Sequence, residues 1–226
     1  MRQERMEVVD FISNYGAYSM MTYVNSSFFQ LSITIGGIVL ILYAFFIWYR
    51  DWIGKSALMY RLLMLPFSRM HIFTSKLTAI VLFALGLTSL QLILLRVTEW
   101  IIRTIIPATL YEPTNAVYMY SNSSIALFFP HSFLEFAVIY GIGLSTVTVI
   151  FAVILLERSF GLLGIGAGIL YGIIVFALFI VPMVISDLTP MLYMQDVLAL
   201  ELLVAVIVAV SSSALSYYLL QRKVTV

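Results

Sequence analysis

The sequence predicts an all-α integral membrane protein, a bundle of about five transmembrane helices with a cytoplasmic coupling helix. Hydrophobic residues make up 62% of the 226 residues and charged residues only 10%, with a mean hydropathy of +1.06. Soluble domains carry roughly 25% charged residues, so most of this chain has no water to face. Its five long apolar runs are continuous rather than alternating, which favours spanning helices over the strands of a barrel.

Each apolar run has about the length, roughly 20 residues, that a helix needs to cross a bilayer. Nothing between the runs resembles a soluble domain, so residues 1–226 are predicted to form a single transmembrane domain. If a further span precedes Met1, the bundle has six spans with both ends on the same side. The predicted spans cover residues 28–49, 77–95, 132–156, 161–185 and 197–220.

The connections between the runs differ in charge. Residues 50–76 carry five basic side chains against one acid, Asp51, and Arg158 and Arg222 follow the third and fifth runs. The opposite connections, residues 104–131 and 186–196, hold acids without a Lys or Arg, among them Asp187 and Asp196. Because cytoplasmic loops are enriched in Lys and Arg, we expect a plasma-membrane protein with a cytoplasmic C-terminus.

Few charges fall inside the runs. Glu135 and Glu201 lie near the start of the third and fifth runs, where a long side chain reaches the headgroups. A pore-facing or inter-helix role for both is the alternative. No pattern typical of a proton relay, a voltage sensor or an intramembrane protease is visible, so any driving energy is expected from outside the membrane.

Two local patterns concern helix ends and helix packing. Arg96, Glu99 and Arg103 are spaced three and four apart, which predicts a shared helix face at the outer membrane interface. Gly164 and Gly168 form a small-xxx-small face, which allows close approach of a helix of the same chain or of a second subunit.

Metal and thiol chemistry have no support in the sequence. The chain has no cysteine, which excludes disulfides, thiolate metal sites and thiol catalysis. The two histidines, His71 and His131, are too far apart in the sequence to suggest a metal site. There is no Walker A pattern either, so the chain itself is not expected to hydrolyse ATP.

One connection, residues 50–76, is large enough to meet a cytoplasmic partner. Apolar residues at Leu58, Leu62 and Leu65 predict a short amphipathic helix. Pro66 ends it, because proline lacks an N–H and biases the preceding residue away from helical angles. Ser68 can cap the next helix, which runs into the second span. The alternative is an amphipathic segment lying on the anionic inner leaflet.

The run from Tyr60 to Arg69, Tyr-Arg-Leu-Leu-Met-Leu-Pro-Phe-Ser-Arg, followed by Ile72 and Lys76, resembles permeases of type-2 ABC exporters. The order of spans is similar over most of the chain, although such permeases usually have six. The resemblance implies a coupling helix that fits a cleft on a separate ATP-binding subunit. The residues implied to contact that subunit are Lys55, Tyr60, Arg61, Leu65, Pro66 and Arg69.

The predicted function is therefore the membrane subunit of an ATP-driven exporter for an amphipathic or hydrophobic substrate, such as a peptide antibiotic or a lipid-like molecule. The expected partners are an ATP-binding subunit, a second permease of like or unlike sequence, and membrane lipid, with no nucleic acid. This chain is predicted to bind no cofactor and no metal, since ATP and Mg²⁺ would sit on the partner subunit. The alternative is a non-transporting membrane scaffold that recruits a cytoplasmic partner through the same connection.

Overall fold

The computed structural model of the chain describes residues 18–53, 69–107, 111–112, 130, 132–189 and 193–222. Within these residues, five helices are long and apolar enough to cross a membrane. The predicted fold class, a bundle of about five transmembrane helices, is confirmed. In chain order the elements are β1 (Tyr18–Ser19), α1 (Met20–Val24), α2 (Ser27–Ile53), α3 (Met70–Ile105), β2 (Tyr111–Glu112), α4 (Phe133–Phe160), α5 (Leu162–Leu188) and α6 (Met194–Arg222).

The long helices extend beyond the apolar runs that predicted them. Helix α3 has 36 residues and includes Arg96, Glu99 and Arg103. Helix α5 continues through Pro182 to Leu188, so this proline does not end the helix. An apolar run marks only the part of a helix that hydrocarbon surrounds, whereas backbone hydrogen bonding continues into the polar residues outside it.

The described residues fall into two compact units, each described by itself. Unit 1 comprises the described residues within 1–37 and 84–129, and unit 2 those within 38–83 and 130–226. The prediction of one transmembrane domain over residues 1–226 stays a prediction.

Unit 1 is built on the first part of α2 and the last part of α3. Its small core consists of Met20, Val24, Phe29 and Leu95. The two-residue strands β1 and β2 pair in parallel, with Tyr18 opposite Tyr111. Ser19 caps α1, because its side chain accepts a hydrogen bond from the amide of Thr22.

Unit 2 is organised around α4, which packs against both α5 and α6. Buried Ser145 and Thr148 on α4 donate their hydroxyls to carbonyls of their own helix, at 2.8 Å each. A polar side chain is thereby satisfied without leaving the apolar interior. Gly161, with φ +60°, forms the turn between α4 and α5, a conformation that glycine adopts without steric cost.

The main core of unit 2 lies where α2 ends and α3 begins, and we call this region the connection end. The last turns of α4 and α6 reach the same place, since residues near their C-termini join this core. The buried members are Ala44, Ile47, Trp48, Phe73, Ile80, Phe151, Ile154, Leu155, Leu156, Leu219 and Leu220.

Candidate functional site

The candidate site is the connection end of unit 2, because the residues on which the resemblance depends lie between α2 and α3. Five of the predicted partner-binding residues, Lys55, Tyr60, Arg61, Leu65 and Pro66, lie outside the described residues. The sixth, Arg69, is described and directly precedes α3. The structure therefore describes how the connection leaves α2 and how it enters α3.

Lys76 fixes the entry into α3. Its side chain is buried, with 7% of the residue exposed. The ammonium nitrogen donates to the carbonyl of Ile47 at 3.2 Å and lies 3.9 Å from the ring centroid of Trp48. A buried ammonium needs such contacts to offset its lost hydration. One side chain of α3 thus holds the last turns of α2.

Aromatic side chains extend this contact to α4. The rings of Trp48 and Phe73 each meet Phe151 edge-on, with centroids 5.4 Å apart in both pairs. Edge-to-face pairs at this distance are favourable beyond their burial. Phe151 therefore receives one ring from α2 and one from α3, and links both flanks of the connection to α4.

A polar group beside the aromatic cluster joins α2 to the end of α4. The hydroxyl of Tyr49 donates to the carboxylate of Glu157. The guanidinium of Arg158 lies over the Tyr49 ring, 4.9 Å from its centroid. Acid and base are neighbours on α4, so Tyr49 meets a charge-compensated pair and not an isolated carboxylate.

Arg69 connects the start of α3 to the end of α6. Its guanidinium donates to the carbonyl of Leu220 at 2.7 Å. Because α6 ends at Arg222, the Leu220 carbonyl is one of the last four, which have no partner within the helix. Arg69 satisfies it and brings positive charge to a helix C-terminus, where the helix dipole favours a cation.

Gly164 and Gly168 pack against α4 of the same chain. A Cβ on Gly164 would lie 2.1 Å from the carbonyl oxygen of Leu156, and one on Gly168 would lie 2.9 Å from a methyl of Val153. By contrast, a Cβ on Gly166 or Gly172 would meet nothing within 4 Å. Of these α5 glycines, the two predicted ones are those that the packing of α4 on α5 requires.

Polar side chains also join α5 to α6. Tyr171 of α5 and Ser212 of α6 share a hydrogen bond of 2.7 Å, which is favourable where no water competes. Glu135 follows the N-cap of α4, where its amide donates to Ser132 Oγ at 3.1 Å, and Glu201 is half-buried in α6. In the described part of the chain, no three His, Asp or Glu side chains are grouped to hold a metal ion.

The sequence singled out Arg69 as a partner contact and Lys76 as part of the motif, but it indicated no role for Trp48, Tyr49, Phe151 or Glu157. Trp48 and Tyr49 end the first run and Lys76 precedes the second, an arrangement that indicates membrane interfaces in general. That pattern predicts only that these side chains lie near the membrane surface. It did not indicate that Lys76, Trp48 and Phe151 meet, or that Tyr49 meets Glu157.

Comparison of the chain with family models, with curated proteins and with solved structures finds no significant match. A function must therefore be inferred from the residues of this chain alone. Contacts from both flanks of the connection between α2 and α3 converge on α4 and α6. The connection end can therefore transmit a movement of this connection to those two helices.

Proposed function

We propose that this chain is the transmembrane subunit of an ATP-driven exporter of the type-2 ABC class, with ATP hydrolysed by a separate subunit. The coupling segment lies within residues 50–76 and docks into a groove on that subunit, with apolar anchors and a basic rim. The transported substrate is amphipathic or hydrophobic, and the translocation path lies between this chain and a second permease.

One observation carries the proposal. The connection that bears the Leu-Pro-Phe-Ser-Arg sequence is held on both flanks to the helices behind it. On the α2 flank, Trp48 meets Phe151 of α4, and on the α3 flank Arg69 donates to the carbonyl of Leu220 of α6. We expect a push on the coupling segment to pass through these flanking contacts to α4 and α6. Rigid contacts of this kind are what domain rocking driven by a partner requires.

The charge of the connection end supports the orientation. Arg50, Arg69, Lys76, Arg158 and Arg222 all lie near it. We therefore place this end, and the C-terminus, in the cytoplasm of a cell whose plasma membrane holds the protein. An ATP-binding subunit would approach from that side.

The test is co-purification followed by reconstitution. We expect the tagged chain, extracted from its native membrane, to bring down a protein with a Walker A motif. In vesicles the pair should hydrolyse ATP and move a substrate. Arg61→Glu and Leu65→Asp should each lower the yield of the ATPase by tenfold or more, since a charge at a groove contact costs at least about 1.4 kcal/mol.

Leu188→Asp is the matched control, because Leu188 is an exposed leucine at the far end of α5. It should leave the association unchanged. Association that survives both Arg61→Glu and Leu65→Asp would show that the coupling segment is misassigned. A partner that binds through this segment without ATP-dependent transport would show that the chain is a scaffold.

A further inference from the structure

The last turns of α3 carry two arginines that the proposed function does not use. Arg96 and Arg103 flank Glu99, whose two carboxylate oxygens accept one bond each, at 3.1 Å from Arg96 and 2.6 Å from Arg103. The two arginine side chains are 66% and 54% exposed, while that of Glu99 is 21% exposed. We call these three residues the arginine stripe.

The arginine stripe is built so that its guanidinium groups face outward. Leu95 and Ile102, on the neighbouring face of the helix beside Glu99, pack in the core of unit 1. Glu99 sits between the two arginines along the helix and fixes both guanidiniums. Each guanidinium has five N–H donors. Glu99 engages one donor of each, and Tyr111 engages a further one of Arg103. With two cations and one anion, the stripe carries a net positive charge.

The stripe lies at the depth of lipid headgroups. Arg96 lies twenty positions after Lys76 on α3, and Leu77–Leu95 between them hold no charged residue. At 1.5 Å per residue this length is about 30 Å, the thickness of the hydrocarbon core. Arg103 is about 10 Å further on, so the stripe crosses the headgroup layer.

The side chains next to the arginine stripe also indicate a position at the membrane interface. Trp100 lies between Arg96 and Arg103 on the outward face and is 69% exposed, as is typical of indole rings at a membrane interface. Ile101 and Ile105 are exposed as well and can lie against acyl chains. Arg103 also contacts Tyr111: its guanidinium lies 5.7 Å from the ring centroid and is hydrogen-bonded to the Tyr111 side chain.

We propose that the arginine stripe binds the phosphate of an anionic phospholipid, with Arg96 and Arg103 as paired donors and Trp100 beside the glycerol backbone. Guanidinium groups bind phosphate through parallel N–H donors. The net positive charge of the stripe favours a lipid whose headgroup remains negative over one whose choline cancels the phosphate. This proposal is independent of any ATP-binding partner.

The experiment uses the full chain in vesicles of phosphatidylcholine and phosphatidylglycerol in equal amounts. Because the chain has no cysteine, Thr104→Cys allows one fluorophore to be placed beside the stripe. Trace spin-labelled phosphatidylglycerol or phosphatidylcholine then quenches it in proportion to the local lipid concentration. We expect the local concentration of phosphatidylglycerol at the fluorophore to be about five times that of phosphatidylcholine. This is the effect of one net charge near a membrane surface.

Controls separate a site from general attraction. Phe133→Cys, at an exposed residue that starts α4, should report no preference between the two lipids. Arg96→Gln with Arg103→Gln should abolish the enrichment at Thr104→Cys. The double variant Arg50→Gln with Arg222→Gln removes two positive charges at the connection end instead. It should preserve the enrichment at Thr104→Cys. Equal quenching by both lipids, or enrichment that survives the Arg96 and Arg103 double change, overturns the proposal.

Discussion

At the scale of single residues, Lys76 is the most constrained charged side chain of the connection end. Its ammonium group is buried, contacts the face of Trp48 and donates to the Ile47 carbonyl. A hydrogen bond from a charged donor contributes about 1.5–3 kcal/mol and a desolvated cation–π contact about 2 kcal/mol. The desolvation of the ammonium group opposes both. Because the two contacts together exceed the remaining cost of desolvation, we expect Lys76 to stabilise the fold.

We expect Lys76→Met to lower the free energy of unfolding by about 1–2 kcal/mol, because methionine keeps the apolar stem but loses both polar contacts. Thermal unfolding in detergent measures the change as a lower Tm. Lys76→Arg, which keeps a cation near Trp48, should recover part of the loss.

A double-mutant cycle with Trp48→Leu isolates the contact between the two side chains. The coupling free energy should be about 1 kcal/mol, the value expected of a partly desolvated cation–π pair. Trp48→Phe keeps an aromatic face and should retain most of the coupling. A Lys76→Met variant as stable as the parent would contradict the role assigned to Lys76.

At the scale of elements, the α4–α5 hairpin depends on glycine at specific places. Gly161 makes the turn with a positive φ, and Gly164 then lies directly against the carbonyl of Leu156. This carbonyl belongs to the backbone of α4, so it cannot move aside as a side chain would. Gly166, two residues further along α5, faces open space.

The hairpin provides a matched pair of identical substitutions. Gly164→Ala should lower the free energy of unfolding by about 2–3 kcal/mol, because the added methyl forces α5 away from α4. Gly166→Ala should leave it unchanged or raise it by up to about 1 kcal/mol, since alanine favours a helix over glycine. Thermal unfolding in the same detergent measures the Tm of both variants. Equal Tm values would count against the close approach of α5 to α4 at Gly164.

At the scale of the whole molecule, the distribution of charge predicts how the protein sits in the membrane. Five basic residues lie at the connection end, whereas Asp187 and Asp196 lie near the junction of α5 and α6. Helix α5, with 27 residues, is about 40 Å long and spans the bilayer from one side to the other. Its two ends should therefore meet different compartments.

Single cysteines at the two ends of α5 test this orientation. Leu162 and Leu188 are 87% and 77% exposed, so both positions accept a label. A membrane-impermeant maleimide should label Leu188→Cys in intact cells, and Leu162→Cys only after permeabilisation, because the positive connection end is retained inside. The reverse pattern would invert the proposed topology.

Contacts within one helix were the part of the structure that local spacing could predict. Arg96, Glu99 and Arg103 were expected on one face, and they form two ion pairs, because residues three and four apart in a helix are always neighbours. The contacts of the connection end are different. Tyr49 and Glu157 are 108 residues apart and Arg69 and Leu220 are 151 apart, and no local pattern indicates such partners.

The sequence by itself determined that this is a helical membrane protein with five long spans, because a backbone without water must satisfy its own hydrogen bonds. It also determined which connections are basic. Only the tertiary structure decided that Lys76 turns inward onto Trp48, that Gly164 and Gly168 face α4, and that Arg96 and Arg103 point outward. The physical reason is that hydropathy records the solvent around a segment, whereas a partner depends on how helices distant in sequence pack together.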